Sequence, residues 1–103
     1  MSKVFEGGND GNIVQLVLDV MKPHKPGIID YAKKLNTLKG TSGVNCTLYE
    51  VDQDTETIKI TLEGWKIDFD GVRAVIEGLG GSIHSVDSVS AGRIVEEVET
   101  PQD

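Results

Sequence analysis

Four side chains of this chain are the candidates to hold a cation: Asp19, His24, His84 and Asp87. Asp19 interrupts the apolar run Leu16-Val17-Leu18-Asp19-Val20-Met21. A charge inside a buried strand costs several kcal/mol unless something pairs with it. Its partner is either a metal ion or Lys59 across a sheet, and a solvated carboxylate at a strand end is the plainer reading. His24 lies in Lys22-Pro23-His24-Lys25-Pro26, just before a helix start whose positive end disfavours protonation. A neutral imidazole can ligate metal, although an exposed loop histidine is the simpler assignment. His84 and Asp87 fall on a later strand. Antiparallel pairing of that strand with the first brings His84 towards Asp19 and leaves Asp87 further along. Strict alternation then puts His84 and Asp87 on opposite faces, unless a bulge intervenes near Ser85. A site shared between subunits escapes that objection. Donors this rich in oxygen favour calcium or magnesium over zinc.

The remaining candidates carry less chemistry. Asp68 reads as a helix N-cap with Asp70 in the first turn. Cys46 is a small strand residue with no second cysteine and no activating base nearby in sequence. Trp65, after Gly64, suits packing or a contact surface better than a stacking platform. Gly78, Gly80 and Gly81 lead from a helix to a strand, the wrong order for a phosphate loop. No Ser-His-Asp order, HExxH or CxxC is present, so no catalytic residue is assigned. The segment from Val44 to Ile83 resembles heavy-metal-associated domains. Those carry a cysteine pair where this chain has Lys22-Pro23-His24-Lys25-Pro26, which removes soft-metal transfer.

The elements that position these residues follow from hydrophobic period. Residues 1–12 contain Gly7, Gly8 and Gly11 and no periodicity, which predicts a flexible arm. Ile13 to Val20 alternates Val14, Leu16, Leu18 and Val20 against Gln15, Val17 and Asp19, a strand with one strongly apolar face. Pro26 suits a first helical turn; Ile28, Ala32, Leu35 and Leu38 recur at helical spacing, and Gly40 stops the run. Val44 to Val51 and Ile58 to Glu63, joined by the polar Asp52-Gln53-Asp54-Thr55, form a hairpin. Val72, Val75, Ile76 and Leu79 make a second helical stripe, ended by Gly80-Gly81. Ile83 to Val89 is a fourth strand, and Arg93 to Glu99 can add a short fifth before Pro101. The order β-α-β-β-α-β predicts an α+β, ferredoxin-like sandwich over residues 13–103. One sheet face is then free of helices, with Val17, Asp19, Lys59, Thr61 and Glu63 pointing to it. An uncovered face meets another subunit or a ligand, and Ile94 to Val98 is a second candidate for pairing with a neighbour's edge strand.

Bulk properties narrow the function. At 103 residues the chain is one small domain, and 38% hydrophobic with 26% charged residues is ordinary globular composition. A formal net charge of −7 argues against nucleic acid and against an anionic membrane surface. No apolar run approaches the ~20 residues of a membrane helix, and the start has no signal-peptide pattern. One cysteine fits a reducing cytoplasm.

Leu16-Val17-Leu18-Asp19-Val20 with Lys22-Pro23-His24, Gly43-Val44-Asn45, the run from Gly80 to Asp87 and the run from Arg93 to Asp103 together resemble one family. It is the archaeal domain-of-unknown-function family 211, and the resemblance covers Ile13 to Asp103. The family has no established activity. The resemblance implies a ferredoxin-like domain that assembles into homo-oligomeric rings, with calcium as a ligand near subunit contacts. Carried onto this chain, it implicates the carboxylates of Asp19 and Asp87 first, then His24 and His84. The expected function is a non-enzymatic assembly module that binds a divalent cation. The alternative is an amino-acid-like sensor with a pocket between subunits, near Gly78 to Ser82 and the His24 loop.

Overall fold

A computed structural model of the chain describes residues 2–6 and 11–97. In chain order the elements are β1 (Ser2–Glu6), β2 (Ile13–Pro23), α1 (Ile28–Asn36), β3 (Thr41–Val51), β4 (Thr55–Gly64), α2 (Phe69–Gly78), β5 (Ser82–Ala91) and β6 (Arg93–Glu97). Four strands form one antiparallel sheet in the order β3-β4-β2-β5. Each helix follows one of its strands, and both pack on the same face. This is the ferredoxin-like α+β arrangement that the periodicity predicts.

β2 supplies the core through strict alternation. Val14, Leu16, Leu18, Val20 and Lys22 are buried, while Gln15, Val17 and Asp19 between them are only half-covered. Ile58, Ile60 and Leu62 of β4 join them, and Tyr31 and Leu35 of α1 with Val72 and Ile76 of α2 close the core from above. Each aliphatic side chain among them contributes about 1.5–3 kcal/mol on burial. Tyr31, absent from the expected helical stripe, is fully buried and donates its hydroxyl to the Leu79 carbonyl at 3.0 Å. α1 begins at Ile28, two residues later than Pro26 suggests, because Gly27 takes the N-cap position.

The expected fifth strand leaves the sheet. β6 pairs antiparallel with β1, from Ser2↔Glu97 to Glu6↔Arg93, in a separate two-stranded ribbon. The arm, given no element by sequence, thus supplies β1; Met1, residues 7–10 and residues 98–103, including Val98, Glu99 and Pro101, lie outside the described residues. Among the described residues no helix is long and apolar enough to cross a membrane.

Two glycines fix the end of the sheet where β4 hands over to α2. The Gly40 carbonyl accepts the amides of Trp65 at 3.0 Å and Lys66 at 3.2 Å. A Cβ at Gly64 would run into that carbonyl oxygen, and Gly40 itself has φ +92°. Gly64→Ala therefore lowers stability by about 3 kcal/mol, the upper range for overpacking. Gly78 sits in the open, with nothing within 4 Å of the place a methyl group would take, and its change to alanine adds about 0.5–1 kcal/mol. Denaturant unfolding of the two variants measures both.

Candidate functional site

The helix-free face gathers the first cluster. Asp19 stands opposite Lys59 on β4 and Ser85 on β5. β5 carries two irregularities beside this point, one between the partners of Val17 and Leu18 and one between those of Asp19 and Val20. The first inserts Asp87 between Val86 and Ser88, and the second inserts His84 between Ile83 and Ser85. Ile83 pairs with Val20 and packs against the core. Counted regularly from there, Ser85 and Asp87 would also fall on the helix side. The extra residue at His84 reverses the parity and delivers both to the face of Asp19. Ser85 Oγ donates to Asp87 Oδ1 at 2.8 Å and stands 3.5 Å from Asp19 Oδ2. Lys59 Nζ is 3.6 Å from Asp87 Oδ2 and 5.2 Å from the centre of the Tyr49 ring. The Ser85 hydroxyl, with the Lys59 charge behind it, holds the Asp87 carboxyl below its usual range.

The structure therefore brings Asp19 and Asp87 together, where alternation placed Asp87 further along. Lys59 is the counter-charge anticipated for Asp19, but its ion pair is with Asp87. His84 is exposed, and its side chain makes no hydrogen bond or ion pair among the described residues. No group of three or more histidine, cysteine, aspartate or glutamate side chains converges among those residues.

His24 belongs to a different cluster at the far end of β2. Lys22 continues the buried parity of its strand, and its ammonium donates to Glu56 Oε1 at 2.7 Å and to the Pro23 carbonyl at 2.7 Å. It also lies 5.4 Å from the centre of the Tyr31 ring. Glu56, directly across from Lys22 on β4, turns its second oxygen to His24 Nδ1 at 3.1 Å. His24 Nε2 meets the Gln53 carbonyl at 2.9 Å. A carboxylate and a carbonyl both accept only, so the site favours the doubly protonated imidazole, in which both ring nitrogens donate. In this arrangement neither nitrogen has a lone pair for a metal, and His24 is not near Asp19. These acceptors act against the helix start, which on its own favours the neutral ring. The Gln53 carbonyl first and then Glu56 raise the His24 pKa, and the bonds from Lys22 and His24 lower that of Glu56.

The other candidates fall into place around these two clusters. Burial pushes the Cys46 thiol up to about 11, so it is no thiolate. Asp68 takes the N-cap position of α2 without a side-chain cap bond. Trp65 is 60% exposed, outside the core. Sequence reasoning missed Lys22 and Glu56, although the period-2 pattern of β2 runs one step past Val20 to Lys22.

His24 supplies a test by titration. Its folded pKa lies above the ordinary value of 6.5, so its contribution to stability is fully present below 6.5 and is lost as pH rises through the folded value. The Glu56 contribution has the opposite sign, being lost as pH falls through that residue's lowered pKa. In an NMR titration His24 titrates above 6.5, and Glu56→Gln moves it down part of the way, because the Gln53 carbonyl remains. The same variant flattens the loss of thermal stability on the alkaline side.

The sequence profile of the family described as "Uncharacterized ArCR", domain of unknown function 211, matches residues 14–103. The chain is also 54% identical, over 92 residues, to "Uncharacterized protein MJ0319" of Methanocaldococcus jannaschii, covering 88% of this chain and 95% of that one. The matched region takes in both clusters, Asp19 with Asp87 and Lys22 with His24 and Glu56. The chain thus belongs to the archaeal domain-of-unknown-function family 211.

Proposed function

We propose that this domain is a non-enzymatic assembly module, a homo-oligomeric ring in which Asp19 and Asp87 bind a divalent cation, calcium, at the contact between copies. The observation that carries the reading is the convergence of those two carboxylates on Ser85, on the face that no helix covers. Calcium takes 6–8 oxygen ligands, and two carboxylates with a hydroxyl are half of such a set. A second copy supplies the rest, which couples cation binding to association.

The sheet edges suit closure. β3 and β5 are the outer strands, and alternating directions across four strands make them run opposite ways. A copy placed alongside can set its β3 antiparallel to this β5. Repetition of that head-to-tail contact gives a ring when the rotation closes. The single cysteine suits a cytoplasmic setting. The sensor reading draws on a shallower feature, a depression of about 380 Å³ between Pro26 and Leu79. A metabolite that raises the melting temperature where calcium does not favours the sensor.

Lys59 sharpens the test. Its ammonium neutralises Asp87 and competes with any cation there, and Tyr49 offers it a second resting place. Lys59→Met tightens calcium binding about fivefold, the worth of one exposed charge contact. Asp19→Asn weakens both calcium binding and association. Native mass spectrometry of the untagged chain, before and after chelation, reads both quantities. A metal-bearing oligomer that dissociates on chelation supports the proposal; a monomer, or an oligomer indifferent to chelator and to Asp19→Asn, ends it.

A further inference from the structure

A feature that neither cluster explains lies at the other end of β2 from His24. A cavity of about 590 Å³ opens between Ile13, the Lys39-Gly40 loop and the segment from Trp65 to Asp70. That volume is within the range of small-molecule sites. Its frame is built from backbone: Trp65 and Lys66 both bond the Gly40 carbonyl, and the Ile67 amide bonds the Ile13 carbonyl at 2.9 Å. The glycine contact of Gly40 and Gly64 leaves that frame no slack. A wall fixed before binding loses little entropy when a ligand arrives.

On this fixed segment Trp65 is 60% exposed, while Ile67 two residues on is 5% exposed. The indole is thus displayed at the cavity and not packed. Half-buried Ile13 and Phe69 extend the apolar wall, and the Arg73 guanidinium covers the Phe69 ring at 4.8 Å. Four charges line the same cavity, Lys39 and Lys66 against Asp68 and Asp70. Among the described residues none of the four has an ion pair or a side-chain hydrogen bond, and Asp68 makes no cap bond from the N-cap position.

The balance of signs selects the ligand. A simple anion at the lysines meets two carboxylates, and a simple cation at the aspartates meets two ammonium groups. A molecule with both charges and an apolar body satisfies all of these groups at once. We infer that the cavity binds a free α-amino acid with an apolar side chain, as the zwitterion. Its carboxylate lies towards Lys39 and Lys66, its ammonium towards Asp68 and Asp70, and its side chain against Trp65. The inference does not depend on assembly or on the Asp19–Asp87 pair.

Trp65 is the chain's single tryptophan, so its emission reports on this cavity alone. Titration of the full chain with L-leucine, L-methionine and L-phenylalanine gives a saturable emission shift with at least one of them. L-leucinamide, which keeps only the ammonium, and N-acetyl-L-leucine, which keeps only the carboxylate, bind more weakly than L-leucine by about fivefold or more. Lys66→Met and Asp68→Asn, both at exposed side chains, each cost a similar factor. The absence of a saturable shift with all three amino acids overturns the assignment. So does equal binding of the two blocked derivatives, or parental affinity in both variants.

Discussion

β2 lies inside the sheet, bonded to β4 on one side and β5 on the other, so its two-residue repeat is imposed on both neighbours. Even-numbered residues from Val14 to Lys22 enter the core, and odd-numbered ones from Gln15 to Asp19 face the side without helices. A slip of one residue would bury Asp19 and expose Leu18, which no compensation in this small domain could offset. Register is therefore strongly fixed, and everything bonded to β2 inherits a definite face. Lys59 reaches the open side because it pairs with Asp19, and Glu56 reaches the closed end because it pairs with Lys22. The two polar clusters are consequences of one parity, read at two points along one strand.

The parity also explains why Lys22 carries a charge into the core. The ammonium costs much to desolvate, and its Glu56 partner with the Pro23 carbonyl replaces the lost water. Burying the stem of a lysine while its head meets acceptors at a strand end is the usual compromise for this side chain. His24 then attaches to the unused oxygen of Glu56, and through Gln53 ties the β2–α1 connection to the β3–β4 turn. The raised His24 pKa follows from the acceptors around it, which act against the field of the helix start.

Much of this was legible in the sequence because period and punctuation are local. The alternation of β2, the Asp52–Thr55 turn and the Gly80-Gly81 stop each act over a few residues and place the four sheet strands and both helices. The open face with Val17, Asp19, Lys59, Thr61 and Glu63 follows from the same alternation. What escaped depends on partners distant in the chain. The pairing of Ser2–Glu6 with Arg93–Glu97 joins the two ends of the chain, and neither partner announces the other. The protonation of His24 depends on Glu56 and Gln53, more than 25 residues away. The insertion at His84 is set by how β5 fits β2, and the local sequence Ile83-His84-Ser85-Val86 fixes no position for it.

That insertion has an electrostatic consequence for the proposed assembly. A β5 running regularly from Ile83 would hold Asp87 on the helix side and leave Asp19 to Lys59 alone. With the insertion, two carboxylates meet at one hydroxyl, and one of them pairs with the Lys59 ammonium, on an open face of a chain whose net charge is −7. Screening at physiological salt confines charge repulsion to about 8 Å, so the repulsion between two copies comes chiefly from the groups at their contact. Lys59 leaves one negative charge of this pair uncompensated on each copy. Two such faces brought together repel through that residue of charge, and a divalent cation between them neutralises it on both sides. In the proposed assembly Lys59 would set the threshold, its ammonium holding Asp87 until the cation displaces it. In the proposed assembly cation binding and association would be one equilibrium, and the bulge at His84 is what brings its two carboxylates onto one face.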